Sequence, residues 1–140
     1  MIYKEKLMGL DVGDKRIGIA FSDPLRLTAQ GHESYTRKSE QMDIDHMVAL
    51  CAEYKVEYIV CGLPKNMNGT IGPMAEKVMA FGEKVAEASG KRIVYVDERL
   101  TTVQAERTLL EADISRAKRR KVVDKLAAVN ILQTHLDTIR

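Results

Sequence analysis

Three carboxylates occupy positions that invite a chemical explanation. Asp11 interrupts the apolar run Leu7-Met8-Gly9-Leu10-Asp11-Val12. Burying an unpaired charge is costly, and aspartate is a poor strand former. Glu98 sits in Asp97-Glu98-Arg99, just after the apolar run Arg92 to Val96, and Asp124 stands near the start of the last apolar-periodic segment. Each also has a plain structural reading. Asp11 could be a strand-end acid bonded to turn amides, Asp97 and Glu98 could precede a helix, and Asp124 could face the positive end of one. If Asp11, Glu98 and Asp124 converge, they form an oxygen-only donor set. Such a set suits Mg2+ or Mn2+ rather than zinc. Without a cation, three like charges would raise one another's pKa. The three histidines, His32, His46 and His135, show no ligand spacing.

Basic and polar residues accompany these acids. Residues 115–125 carry six Lys/Arg and one acid. Beside carboxylates, the run Arg116, Lys118, Arg119, Arg120 and Lys121 points to a phosphate-bearing polyanion. Lys15, Arg16, Lys65, Asn66 and Arg99 are further candidates for phosphate contact, although Arg99 could instead neutralise a neighbouring acid. The segment Gly62 to Gly72 is no Walker A loop, because it lacks the GK[ST] ending. Its glycines and the following helix N-terminus can still offer backbone N–H groups to a phosphate.

Positioning these residues falls to a short series of elements. Leu7 to Val12 reads as a strand and Gly13-Asp14-Lys15-Arg16 as a turn. Ile17 to Ser22 alternates with period two, so it is a second, antiparallel strand. A third strand lies within Gly31 to Arg37. From Ser39 the apolar residues Ile44, Met47, Val48, Cys51 and Tyr54 take helical spacing. Val56 to Cys61 reads as a buried parallel strand. Pro73 opens a helix with the stripe Met74, Val78, Phe81, Val85 and Ala88, and Gly90 ends it. Arg92 to Val96 is a fifth strand. Thr101 and Gln104 have capping-box spacing for a helix from about Thr102 to Asp113. A last helix is expected from about Val122 to Leu136, with Asp124 in its first turn.

The order β-β-β-α-β-α-β-α-α implies an α/β fold, a mixed five-stranded sheet with helices on both faces. Right-handed crossovers make the first, fourth and fifth strands parallel. Their carboxyl ends then share one edge, where ligands bind in open sheets. Asp11, the Gly62 loop and Asp97-Glu98-Arg99 fall on that edge, and Asp23 falls on the opposite one. Alternation puts Asp11 on the same face as Leu7 and Gly9, and Gly9 leaves room there for a ligand or metal.

The chain has 140 residues, 45% hydrophobic and 30% charged, with net charge +2. This is the composition of a globular protein, long enough for one domain spanning residues 1–140, and it argues against disorder. No apolar run reaches the roughly 18 residues of a membrane span, and the start does not read as a signal peptide. The expectation is a cytoplasmic protein with no membrane partner. Cys51 and Cys61 form neither a CxxC nor a disulfide framework and read as buried reduced thiols.

Taken together, Gly9-Leu10-Asp11-Val12-Gly13 with Arg16-Ile17-Gly18-Ile19-Ala20, Gly62-Leu63-Pro64 with Asn68-Gly69, Asp97-Glu98-Arg99-Leu100-Thr101-Thr102 and Val123-Asp124-Lys125-Leu126-Ala127-Ala128 resemble the YqgF-type nucleases. That family is described both as Holliday junction resolvases and as the nuclease that matures the 5′ end of pre-16S ribosomal RNA. The resemblance implies an RNase H-like fold, divalent-metal dependence and phosphodiester hydrolysis. It makes Asp11, Glu98 and Asp124 the catalytic, metal-binding acids and nucleic acid the partner, and leaves a homodimer open. In the better-known junction resolvases a catalytic Glu follows the fourth strand, where this chain has Gly62-Leu63-Pro64. That departure favours RNA processing over junction cleavage. Two other readings remain: a non-catalytic nucleic-acid-binding module on the same fold, and a nucleotide phosphotransferase related to the actin-like ATPases.

Overall fold

The computed structural model describes residues 5–100 and 116–139, with the backbone alone at 116 and 117. The helix expected over 102–113 lies outside the described residues. Strands β1 (Lys6–Val12), β2 (Arg16–Ser22) and β3 (Ala29–Thr36) come first. Helix α1 (Glu40–Glu53), β4 (Val56–Leu63), α2 (Pro73–Ser89), β5 (Ile93–Asp97), a short 3-10 turn (Glu98–Leu100) and α3 (Arg116–Thr138) follow.

The strands form one sheet in the order β3-β2-β1-β4-β5. β1 runs antiparallel to β2, β2 antiparallel to β3, and β1, β4 and β5 are parallel. Local signals explain the helix ends. The Ser39 hydroxyl accepts from the Met42 amide at the start of α1, and Gly90 takes a left-handed conformation after α2, as a helix-stopping glycine does.

Strand alternation divides the apolar residues between two layers. Met8, Leu10, Val12, Ile17, Ile19, Phe21, Ile59, Cys61 and Leu63 pack with α1 and α2 on one face. Leu7, Ala20, Tyr58, Val60 and Val96 pack with Ala128, Ile131, Leu132 and Leu136 of α3 on the other. The thiols are free and buried, and burial pushes that of Cys51 up to about 11.

Three boundaries differ from the sequence expectation. β4 continues through Gly62 and Leu63, so these belong to the sheet rather than to the loop. β5 includes Asp97. α3 includes the whole basic run, which places Asp124 well inside the helix and not in its first turn. Lys and Arg are good helix formers, so a run of them does not mark a loop.

The room beside Gly9 is also filled differently from expectation. It holds α3: a side chain at Gly9 would come within 2.7 Å of Leu132 Cβ and 3.0 Å of the Ala128 carbonyl. At Gly18 the approach is closer still, and an added Cβ would collide with the carbonyl of Asp124.

At the edge of the sheet, Ile19 pairs with Glu33 and Ala20 with Gly31, leaving His32 as an extra residue in a bulge. His32 packs edge-on against Phe21. Glu33 bonds to His46 at 2.6 Å, and His46 stacks on Tyr35. Next to them Asp43 is 2% exposed. It receives hydrogen bonds from Tyr35, Arg37 and the Lys38 amide, each at 2.9 Å. Burial alone would raise the Asp43 pKa, but these donors together hold it below the ordinary value of 3.8.

Two stability predictions follow from this packing. Gly18→Ala should lower stability by about 2 kcal/mol, the usual scale of overpacking, read from the urea midpoint. An unchanged midpoint would show that α3 does not rest on β2 in this way. Asp43→Asn should cost about 2 kcal/mol at neutral pH, as for a lost charge-assisted hydrogen bond. Because the folded-state pKa of Asp43 is depressed, its contribution is complete above the unfolded-state pKa. It is lost as pH falls through the folded-state value, so the two unfolding curves should converge in acid.

Candidate nuclease site

One cross-sheet row carries the acids. Ser34 of β3 pairs with Gly18 of β2, and Gly18 pairs with Asp11 of β1. The parallel register Leu10 to Cys61, continued by one residue, brings Asp11 level with Gly62 of β4. The row is therefore Ser34, Gly18, Asp11, Gly62, with neighbours about 4.8 Å apart. All four face α3.

The two glycines in this row leave space that other acids enter. The backbone of Asp124 lies over Gly18. At Gly62 an added Cβ would be 2.6 Å from Glu98 Oε1. Asp11 thus lies between an acid from α3 and an acid from the turn after β5. Cys61, the neighbour of Gly62, lies within electrostatic reach of two of these acids. Its thiol pKa is pushed up, first by burial and then by the charges of Asp11 and Glu98.

Asp11, Glu98 and Asp124 all line one open cleft of about 390 Å³. Val12 to Arg16, Pro64 and Met74 complete it. The three acids come from separate stretches of chain, and the fold brings them to one place. They are not drawn together onto a single point, however. Among the described residues, no three His, Cys, Asp or Glu side chains are close enough to hold one ion. Asp124 is the displaced member. Its Oδ2 accepts from Arg16 Nε at 2.7 Å and from Ser34 Oγ at 2.8 Å, and its side chain is only 14% exposed.

The donor chemistry nevertheless fits a hard divalent cation. The acids of the cleft offer carboxylate oxygens, and among the described residues no cysteine or histidine lines it. Mg2+ and Mn2+ take such oxygen ligands.

The other candidate residues separate into two groups. Lys15 lines the cleft and is exposed. Lys118, Arg120 and Lys121 are exposed on α3, and Arg119 is half-buried; Arg116 is placed on the same helix by its backbone. Lys118, Lys121 and Lys125 lie three and four residues apart along one stripe. Like charges at that spacing repel, and a polyanion would relieve the repulsion.

The second group builds the site's frame. Arg99 holds Asp97 through Nε at 3.1 and 3.0 Å and through Nη2 at 2.6 Å. Its Nη1 donates to the Met67 carbonyl at 3.1 Å. The Arg99 guanidinium, helped by the Arg99 amide and the charge of Lys65, holds the Asp97 pKa down. Asn66 donates to Thr70 Oγ1 at 3.0 Å, and Asn68 accepts from that hydroxyl at 2.6 Å. In this structure Arg99 and Asn66 therefore brace the loop after β4. Asp23 is a turn acid, accepting from the amides of Leu27 and Thr28.

Sequence reasoning missed Ser34. A serine in a weak edge strand carries no signal by itself; the register sets it level with Gly18, and its hydroxyl donates to Asp124.

A mixed sheet in this order, covered by helices on both faces, is the RNase H-like fold, and here it carries acids on β1, on the turn after β5 and on the last helix. Residues 5–138 match the family model described as "RuvX: Holliday junction resolvase", and the chain belongs to that family. A relative from Clostridium kluyveri, named "Putative pre-16S rRNA nuclease", is 57% identical over 134 residues, covering 96% of this chain and 98% of its own. A Clostridium botulinum relative of the same name is 54% identical with the same coverage.

Among solved structures, Thermus thermophilus RuvC in complex with a Holliday junction substrate has a TM-score of 0.62. It is 10% identical, over 96% of this chain and 95% of its own. The Fowlpox virus resolvase with its junction DNA has a TM-score of 0.59 and is also 10% identical, over 96% and 98%. At that identity the likeness concerns the fold.

Asp97→Asn should loosen the loop by releasing Arg99. Amide exchange at Asn66 to Gly69 should rise several-fold while β1 and β4 stay protected, as in a local opening. Unchanged exchange there would mean that the loop holds itself.

Proposed function

We propose that the chain is a divalent-metal-dependent nuclease that hydrolyses phosphodiester bonds of structured RNA, with 5′-end processing of pre-16S rRNA as its reaction. The observation that carries this reading is the row itself: Asp11 lies between Asp124 and Glu98, each seated over a glycine on one face of the sheet. The names of the relatives at 54–57% identity support an RNA substrate.

In this reading Asp11, Glu98 and Asp124 hold Mg2+ or Mn2+. The bound cation supplies an acidified water and neutralises charge on the scissile phosphate. Lys15, Lys65 and the basic turns of α3 bind neighbouring phosphates and set the register of the strand. The braced loop after β4 fixes one wall of the cleft. Hydrolysis forms a bond from water oxygen to phosphorus and breaks the bond to O3′, leaving a 5′ phosphate and a 3′ hydroxyl.

The second reading, junction cleavage, is favoured by the description of the family. On a four-way junction two symmetric cuts call for two copies of the chain, whereas trimming an RNA end calls for one.

The test uses purified protein with Mn2+ on a pre-16S rRNA 5′ end and on a four-way junction, together with Asp11→Asn. Wild-type protein should process the RNA end. The variant should lose roughly a hundredfold or more in rate while still binding RNA, with affinity that falls steeply with salt. Wild-type rates from the variant would overturn the site assignment, and cleavage of the junction alone would favour the second reading.

A further inference from the structure

The Arg16–Asp124–Ser34 cluster does more than tie α3 to the sheet. Its direction matters. In the row Ser34, Gly18, Asp11, Gly62, the Asp124 backbone lies over Gly18. From that position Asp11 of β1 lies on the inner side and Ser34 of β3 on the outer. The Asp124 carboxylate is turned outward, onto Ser34 of the edge strand and onto Arg16. The lack of any three-carboxylate grouping among the described residues agrees with this orientation.

Arg16 also faces the cleft, and its side chain is 28% exposed. It meets Asp124 through Nε alone, a one-point contact that leaves the rest of the guanidinium fork for a phosphate. Arginine forms strong paired hydrogen bonds with phosphate oxygens.

We infer that Arg16 and Ser34 are positioning residues that hold Asp124 outside the metal site until a substrate phosphate engages Arg16 and lets the carboxylate turn inward. This rests on the metal-site reading given above. It makes cation affinity depend on bound nucleic acid, and by linkage the dependence is reciprocal.

The test is calorimetric titration of Mn2+ into the full chain without nucleic acid. Ser34→Ala changes no charge and removes one restraint, so it should tighten Mn2+ binding about threefold. Arg16→Met should tighten it about tenfold, the scale of one or two hydrogen bonds released. Both gains should vanish in an Asp124→Asn background, as a mutant cycle requires when the effect passes through that carboxylate. In cleavage assays the Mn2+ concentration for half-maximal rate should fall as RNA is raised for wild type, and should fall by a smaller factor for Ser34→Ala.

Asp11→Asn separates this inference from the reading beneath it. If that variant binds Mn2+ as wild type does, the metal site itself is misassigned. If it loses the binding while Ser34→Ala binds no tighter than wild type, the inference fails and the site stands. Tightening by Arg16→Met alone would also overturn it, because loss of a positive charge then explains the result.

Discussion

The structure depends on the missing Cβ atoms at Gly9, Gly18 and Gly62. Elements packed face to face normally meet side chain on side chain. Here the backbone of α3 settles onto β1 and β2 because the strands present glycine beneath it. That depth buries Ala128, Ile131, Leu132 and Leu136 completely or nearly so. The same close approach carries Asp124 down to the level of Asp11. Core packing and site assembly are thus one constraint. Glycine is an unfavourable strand residue, so three of them facing one helix record a requirement for proximity.

Around the acids, charge is balanced in pairs of unequal character. Asp97 and Arg99 form a multiply bonded pair that serves the loop. Arg16 and Asp124 form a single-point pair in a partly buried place, where removal of one partner would leave the other exposed to a low-dielectric environment. The first pair is structural in its geometry, and the second leaves donor capacity unspent beside a cleft. Two Asp–Arg contacts in one site therefore do different things.

Much of the fold was legible in the sequence because each central strand is buried on both sides and still alternates. Ile17, Ile19 and Phe21 enter one core layer, while Gly18, Ala20 and Ser22 face the helix. The connection lengths then fixed which strands run parallel, and the convergence of Asp11 with Glu98 on one edge followed. What stayed hidden was register and reach. No pattern in residues 29–36 shows that Ser34 stands level with Gly18. Nothing in Asp97-Glu98-Arg99 shows that the arginine turns back to its neighbour and to Met67 rather than outward. The start of α3 was obscured because a dense basic run resembles a solvated loop in composition while being a good helix in conformation.

The bulge at His32 has a consequence beyond its aromatic packing. β3 is the margin of the sheet, and a regular margin offers an unbroken ladder of amides and carbonyls to any passing strand. The extra residue breaks that ladder midway and increases the local twist, while the segment's polar, largely uncovered side chains add little stickiness. A margin interrupted in this way gives a second copy of the chain little length on which to extend the sheet.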